Sequence, residues 1–495
     1  MIKVLAYDFG ASSGRAMLGT FDGKKINIEE IHRFSNDPVY VHGTLYWDVL
    51  RLLHEMKEGL IACRKNGHAD IKSIGIDTWG VDFGLLDKEG RLLENPIHYR
   101  DKRTDGLMEE VFGIVGKKDL YDRTGIQFMQ FNTLYQLYAI TKDHPELLKR
   151  AETMLFMPDL LAYFLTGKKF TEFSIASTTQ MLDDKTGNWD LALLEKLGIP
   201  TNILLDITDS ATVIGKLTEE VCRETGLDAI PVTAVAGHDT GSAMISAPAD
   251  TELFAFLSSG TWSILGSELK RPIVNENTFK REYSNEGGIN RTARLVKNIM
   301  GLWIYQECRR AWNKESDTPV SFDELEMSAR SAKPFACLID VDSQDFYHPG
   351  DMPGRVQDYC EKTGQYVPKT KGEIVRCIME SLALKYRYVF DGLEDVVGSA
   401  IPKLHMVGGG CKNTMISQFT ANAIGKEVTA GPIEATAIGN IVAQLIALGA
   451  IKDVKEARKI VRSSFEIKSY LPEDQKIWEE KYQYYLRNIF GKKIE

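Results

Sequence analysis

The sequence predicts an α/β protein built from two related domains, and three observations carry that expectation. Short apolar runs rich in strand formers alternate with amphipathic segments of helical period. A hairpin built on Ser-Ser-Gly occurs once in each half, at Ser12-Ser13-Gly14 and at Ser258-Ser259-Gly260, and self-similarity at half-chain distance signals duplication. The 495 residues exceed the size at which a single hydrophobic core stops growing, so two domains follow.

Taken in order, the chain opens with the apolar run Val4-Leu5-Ala6-Tyr7, passes through Asp8-Phe9-Gly10-Ala11-Ser12-Ser13-Gly14-Arg15, and continues as Ala16-Met17-Leu18-Gly19-Thr20. That pattern reads as a hairpin shaped for phosphate, because backbone N–H groups and two hydroxyls can converge on an anion with no side-chain bulk in the way. Asp8, at the strand end, could hold a divalent cation beside it. The glycines could equally supply turn geometry alone. Strands are expected around 26–34 and 71–77, bracketing a helix from about 47 to 64 whose apolar positions are Val49, Leu52, Leu53, Met56 and Leu60. Residues from roughly 102 to 197 read mainly as helices, among them 133–141, 146–150 and 160–165, and form a helical insertion on the first domain. Strand signals return at 231–236.

The turn-rich Ala247-Pro248-Ala249-Asp250 marks the expected boundary and gives domains 1–247 and 248–495. In the second domain the hairpin of 253–266 is followed by a long amphipathic helix at 373–390, a buried strand at 403–407 and a helix at 413–425.

Composition narrows the function classes. The net charge is −9 and no basic run exceeds a few residues, which points away from nucleic acid and toward a small-molecule enzyme. No apolar run approaches the ~20 residues that span a bilayer, and the N-terminus lacks a leader pattern, so a cytoplasmic enzyme with no membrane partner is expected. The seven cysteines include no C-x-x-C pair, and their spacing indicates neither a zinc site nor a dense disulfide framework.

Three further motifs carry chemistry. Ile76-Asp77-Thr78-Trp79-Gly80-Val81-Asp82 ends a strand with two carboxylates and an indole, a set suited to gripping sugar hydroxyls and covering an apolar sugar face; Trp79 as core and Asp77 as a turn residue is the other reading. Val235-Ala236-Gly237-His238-Asp239-Thr240-Gly241-Ser242 runs from strand to helix, placing Asp239 as a general base for a substrate hydroxyl or as a helix N-cap. Leu404-His405-Met406-Val407-Gly408-Gly409-Gly410-Cys411 runs a strand into three glycines that admit a flat ring or a phosphate, with a helix N-terminus behind them.

Rival signatures are incomplete. Asp239-Thr240-Gly241 matches the aspartic protease motif, which needs a second such carboxylate, and the chain has none. Gly10-Ala11-Ser12-Ser13-Gly14 fits the nucleophile elbow of α/β-hydrolases, but that motif requires a helix where 15–21 reads as a strand. No Walker A loop and no protein-kinase catalytic loop occurs.

Together with Asn285-Glu286-Gly287-Gly288, Lys297-Asn298-Ile299-Met300-Gly301 and Ser258-Ser259-Gly260-Thr261-Trp262, these motifs stand in an order that resembles the FGGY carbohydrate kinases, from about residue 3 to about 448. The resemblance implies two actin-like, ribonuclease H-like domains flanking an ATP and sugar cleft. It implies transfer of the ATP γ-phosphate, with Mg²⁺, to the primary 1-hydroxyl of a ketose, L-rhamnulose, with L-fuculose, L-xylulose or glycerol as rival acceptors. Asp239 would be the catalytic base, and Gly80, His238, Thr240 and Asn298 would contact the sugar with it. Ala11, Ser12, Ser13, Gly14, Arg15, Thr261, Gln306 and Gly409 would hold ATP, and Asp8 the metal. Gly237 departs from the serine expected before His-Asp-Thr. A nucleotide-gated binding protein of the actin or Hsp70 type is the rival outside the enzyme class.

Overall fold

The computed structural model describes residues 1–314 and 317–491. Two compact units form, one from Met1–Asp250, Glu268–Val296 and Ala435–Ser464, the other from Thr251–Ser267, Lys297–Glu434 and the chain from Phe465 onward. The units are thus interleaved in sequence.

In the first unit, strands β1 (Ile2–Phe9), β2 (Ser13–Phe21), β3 (Ile26–Ser35), β4 (Ile74–Thr78), β5 (Thr212–Lys216) and β6 (Pro231–Ala234) make one sheet in the order β5-β6-β4-β1-β2-β3. β1 pairs antiparallel with β2 and parallel with β4; β4 pairs parallel with β6, and β6 antiparallel with β5. From Val4 to Phe9 strand β1 is buried without alternation, the signature of a strand covered on both faces.

One cover is helix α1 (Val49–Lys65), capped by Asp48, which accepts the Arg51 N–H at 3.2 Å, and carrying Arg64 and Lys65 in its last turn, where cations suit the helix dipole. Its stripe of Val49, Leu52, Met56, Leu60 and Cys63 is buried. The other cover is the helix Ala435–Ala447, which the sequence places almost at the far end of the chain. It seats on the sheet through glycines: a Cβ at Gly19 would lie 2.6 Å from Ile441 Cγ2, and one at Gly75 would lie 2.3 Å from Asn440 Oδ1. That close fit is why the chain returns to the first unit after the second is built.

The second unit repeats the pattern. β7 (Ala255–Ser259) pairs antiparallel with β8 (Ser263–Leu269) and parallel with β9 (Lys403–Val407), which pairs parallel with β10 (Glu427–Ala430), which pairs antiparallel with β11 (Lys468–Tyr470). The correspondence β1 to β7, β2 to β8, β4 to β9, β6 to β10 and β5 to β11 makes the expected duplication explicit. The long helix expected at 373–390 spans Lys371–Val397, entered by a Thr370–Glu373 capping box and ended by Gly398 in the left-handed region at φ +68°, as a helix C-terminus favours.

The insertion is mainly helical, but it also carries the strand Thr153–Phe156, which pairs antiparallel with Phe83–Leu86. It has a hydrophobic cluster of its own, including Leu120, Tyr121, Leu134, Tyr135 and Phe156, separate from that of the sheet and α1. Among the described residues no helix is long and apolar enough to cross a membrane.

Candidate active site

Three neighbouring chain segments of the first unit bring acids to the carboxyl edge of its sheet. Asp8 and Asp77 are register partners on β1 and β4 and so point to the same face. Next to them Thr78 bridges to His238, its N–H donating to the Gly237 carbonyl at 2.9 Å, so the chain leaving β6 passes at once into His238 and Asp239 at the start of helix α2 (Asp239–Ile245). The carboxyl edge of parallel strands is where α/β sheets place ligands.

The acids affect one another. Burial, and then the charge of Asp8, push the Asp77 carboxyl well above the usual range, although Asn440 Nδ2 donates to its Oδ2 at 2.6 Å. Asp77 Oδ1 is buried and has no hydrogen-bond partner. Burial also raises Asp239, with Asp8 adding and His238 opposing. A raised carboxylate is a stronger base, and Asp239 keeps an exposed edge, its side chain being 29% accessible. Asp8 Oδ2 accepts from Arg15 Nη2 at 2.6 Å.

The first turn is closed by hydrogen bonds. Gly10 N–H donates to the Ser13 carbonyl at 2.9 Å, and Asn36 pins the loop from below, its N–H on the Ser12 carbonyl and its Nδ2 on the Gly10 carbonyl. Ala11 and Ser12 form an exposed tip. At Gly14 a Cβ would sit 2.2 Å from the Phe34 ring, so this glycine is required by packing.

Around His238 a buried charge cluster forms. Its Nδ1 lies 3.1 Å from Glu286 Oε2 and 3.1 Å from Arg294 Nη2, and its Nε2 lies 3.4 Å from Asp239 Oδ1. Arg294, only 1% exposed, pairs with Glu286 at 3.0 Å and donates to Thr240 Oγ1 at 2.9 Å. Burial alone would raise Glu286; Arg294 and His238 outweigh it and bring the carboxyl down to about 2. Gly80 faces this group, a Cβ there meeting His238 Nε2 and Thr178 at 3.3 Å. Gly80, His238, Asp239 and Thr240 are thus brought together.

Behind Asp239 lies a carboxylate that sequence reasoning missed. Glu172 is buried; its Oε2 accepts from Ser174 Oγ at 2.6 Å, Ile175 N–H at 3.0 Å and Gly237 N–H at 3.0 Å, and its Oε1 accepts from Ser210 Oγ. Ser174 Oγ in turn accepts from the His238 N–H at 3.2 Å. A Cβ at Gly237 would lie 3.0 Å from Pro158 and 3.2 Å from Glu172 Oε2, so glycine at this position fits closely under the Glu172 anchor. No spacing signal could have pointed to Glu172, because 65 residues separate it from Gly237.

Asp82 and Trp79 do not present the expected sugar-gripping face. Asp82 is fully buried and accepts from Trp47 Nε1, Trp79 Nε1, Tyr99 N–H and Gln136 Nε2 at 2.7–3.1 Å. Burial raises its carboxyl to about 6 against the Trp47, Gln136 and Trp79 donors and the charge of Arg103. Trp79 stacks tilted on Trp47 at 4.0 Å between centroids. The pair serves as a polar hub inside the core, and it holds the turn in which Val81 adopts φ +68°, a costly conformation for a β-branched residue.

In the second unit the counterpart turn is one residue shorter and is closed by the Gly260 N–H on the Trp262 carbonyl at 3.0 Å. Thr261 Oγ1 donates to Gln306 Oε1 at 2.9 Å, joining two of the expected nucleotide residues. The glycine run divides by role. Gly408, at φ +87°, and Gly410 press on Ser259, whereas Gly409 is exposed with open space where a Cβ would be. A 3-10 turn, Gly409–Lys412, separates this run from the helix Thr414–Ile424, whose cap is Asn413, so the helix does not follow the glycines directly. Asn298 also lies in this unit.

Residues 3–246 match the N-terminal domain of the FGGY family of carbohydrate kinases, and residues 255–448 match its C-terminal domain. A rhamnulokinase of Bacteroides thetaiotaomicron is 46% identical over 96% of this chain and 97% of its own, and one of Bacillus subtilis is 41% identical over 95% of each. In fold, the chain is similar to a xylulose kinase from Lactobacillus acidophilus, at a TM-score of 0.81 and 17% identity over 99% of this chain and 98% of that one. It is also similar to Plasmodium falciparum glycerol kinase with ADP, at 0.80 and 17% over 100% and 99%. With both domains matched and relatives above 40% identity along nearly its whole length, the chain belongs to the FGGY family of carbohydrate kinases.

Proposed function

We propose that this carbohydrate kinase is a rhamnulokinase, transferring the ATP γ-phosphate to the 1-hydroxyl of L-rhamnulose to give L-rhamnulose 1-phosphate and ADP, a step of L-rhamnose catabolism in the cytoplasm, where ATP is available. The observation that carries the reading is the near full-length similarity to relatives named rhamnulokinase, at 46% and 41% identity. Phosphoryl transfer asks the protein for positioning and electrostatics more than for covalent chemistry. The assignment of roles follows from what each residue offers.

Asp239, with its carboxyl raised by burial, takes the proton of the attacking hydroxyl. Gly80, His238, Thr240 and Asn298 bind the sugar, His238 being oriented by Glu286 and Arg294. Backbone N–H groups and hydroxyls of Ala11, Ser12, Ser13 and Gly14, with Arg15, hold the phosphates of ATP; Thr261, Gln306 and Gly409 hold the remainder of the nucleotide. Carboxylate oxygens are the donor set that Mg²⁺ prefers, and the raising of Asp77 and Asp239 by burial and by the charge of Asp8, with an orphaned Asp77 oxygen, fits a cation there. Asp8, with Asp77 beside it, would hold it; bound there, Mg²⁺ supplies charge that offsets the phosphate oxygens.

The test is sugar-dependent ADP release with MgATP across L-rhamnulose, L-fuculose, L-xylulose, D-xylulose and glycerol. Highest kcat/KM on L-rhamnulose is expected. Preference for another ketose or polyol overturns the substrate and leaves the kinase, and absence of sugar-dependent turnover overturns the catalytic reading as a whole.

A further inference from the structure

The long helix Lys371–Val397 of the second unit buries a lysine, Lys385, whose side chain is only 6% accessible. Its Nζ lies 2.7 Å from Asp342 Oδ2 and 3.3 Å from Asp340 Oδ1, and the Phe490 ring covers it at 4.6 Å from the centroid. Burial by itself would lower this ammonium; Asp342 and Asp340 outweigh burial and raise it, so the lysine is a fixed positive charge. None of the three is among the expected nucleotide or sugar residues, and a buried ion pair is a weak net source of stability because desolvation offsets the attraction. What such a pair can supply is a fixed place for its atoms.

The other oxygen of Asp342 shows what is being placed. Asp342 Oδ1 accepts the N–H of the buried Met300 at 2.7 Å, while the N–H of Asp342 donates to Asp340 Oδ1 at 3.1 Å. Met300 follows the strand Ala293–Ile299, which carries Asn298, and precedes the helix Trp303–Lys314, which carries Gln306. On the helix side of this short connection, the Leu302 and Trp303 N–H groups donate to the Gly260 and Thr261 carbonyls at 2.9 and 3.1 Å, and a Cβ at Gly301 would lie 2.4 Å from Ser263 Oγ. Tyr386, the residue after Lys385, meets that Ser263 Oγ with its OH at 2.6 Å. The connection is therefore clamped to the hairpin on one side and to Asp342 on the other.

We propose that Lys385 is a positioning residue of this kinase: by pinning Asp342 it fixes the Met300 amide, and so sets Asn298 relative to the hairpin that carries Thr261. The inference rests on the proposed reading of Asn298 as a sugar contact and of Thr261 and Gln306 as nucleotide contacts. The hairpin is held several times over, by the β7–β8 pairing, by Leu302 and Trp303 and by Tyr386, whereas the Met300 N–H is held by Asp342. Without Lys385 the Asp342 carboxylate, its side chain already 28% accessible, gains hydration by turning to water and away from Met300. Loss of the pair thus loosens the sugar side and spares the nucleotide side.

The experiment uses the full-length protein and the sugar that the parent turns over best. Lys385→Met should raise the KM for that sugar on the order of 10-fold, the scale on which small misplacements register, while ATP binding measured by calorimetry without sugar is unchanged. Asp342→Asn should do the same, the double variant should be no worse than either single one because the two residues act as a unit, and Lys385→Arg should recover most of the loss. Arg387→Met removes ion pairs to Glu479 and Asp391 from the same helix and should leave the sugar KM as it was. Equal weakening of sugar and ATP, or additive losses in the double variant, overturns positioning in favour of a structural role. Amide exchange on the unliganded parent decides the anchor whether or not any variant folds: Met300 should be protected, and exchange there at the rate of an open loop overturns the inference. A parent that prefers another sugar refutes the substrate assignment and leaves this inference standing. A parent that turns over L-rhamnulose while Lys385→Met leaves its KM unchanged refutes the inference and leaves the assignment.

Discussion

Glu172 Oε2 accepts the Gly237 N–H at 3.0 Å, so a buried carboxylate from the helical insertion fixes the backbone two residues before the proposed base, Asp239. Through Ser174 it fixes the His238 N–H as well. Replacing it as Glu172→Gln keeps the shape but turns one acceptor into a donor facing existing donors. A loss of about 1.5–3 kcal/mol in stability is expected, with kcat down on the order of 10-fold because a small misplacement of a base is costly. Steady-state kinetics at a temperature well below the melting transition separates the two. An unchanged kcat would leave Glu172 a purely structural role.

Asp239→Asn removes the acceptor for the hydroxyl proton while preserving size. General-base assistance is typically worth about 10²–10⁴-fold, so kcat should fall by that amount while sugar affinity, measured by calorimetry, stays within a few-fold. Turnover close to that of the parent would remove Asp239 from the role.

Gly80→Ala places a methyl 3.3 Å from His238 Nε2 and from Thr178. His238 is held on its other side by Glu286 and Arg294 and has little room to yield. The KM for the sugar should rise while the KM for ATP, whose expected contacts lie elsewhere, stays put. A parallel rise in both would point to general distortion.

Glu286 titrates at about 2 in the folded chain against an ordinary 4.5. A depressed carboxylate contributes stability that is fully present above the unfolded value and is lost as pH falls through the folded one. The window is therefore about pH 4.5 down to about pH 2, with a contribution on the order of 3 kcal/mol. Denaturant unfolding of Glu286→Gln should show a shallower acid slope than the parent within that window and a constant deficit above it. Identical slopes would contradict the depressed value.

Gly439→Ala brings a Cβ to 1.7 Å from the Ser242 carbonyl oxygen, a backbone atom that cannot swing aside. Either α2 or the helix Ala435–Ala447 must shift, and overpacking of this kind costs about 1–3 kcal/mol or more. The melting transition should drop, and kcat should drop with it because α2 carries Asp239 at its first position. A variant as stable as the parent would mean that the two helices separate at no cost.

Local pattern alone made much of this protein legible. The two Ser-Ser-Gly hairpins, the α1 stripe, the strand at Lys403–Val407 and the run into His238-Asp239 are where alternation, small-residue turns and helical spacing place them, because each is decided by neighbours within a few residues. The motif order likewise sufficed to point to the family. What only the tertiary structure decided involves partners far apart in sequence: Asn440 on Asp77, Glu172 under Gly237, Arg294 and Glu286 on His238, and Lys385 and Asp342 behind Met300. It also decided that Asp82 and Trp79 face inward, since an indole and a carboxylate read alike in sequence whether four donors or a ligand will meet them. Periodicity reports which face of an element is buried; it is silent on what that face is buried against, and the site's electrostatics arise from those distant contacts.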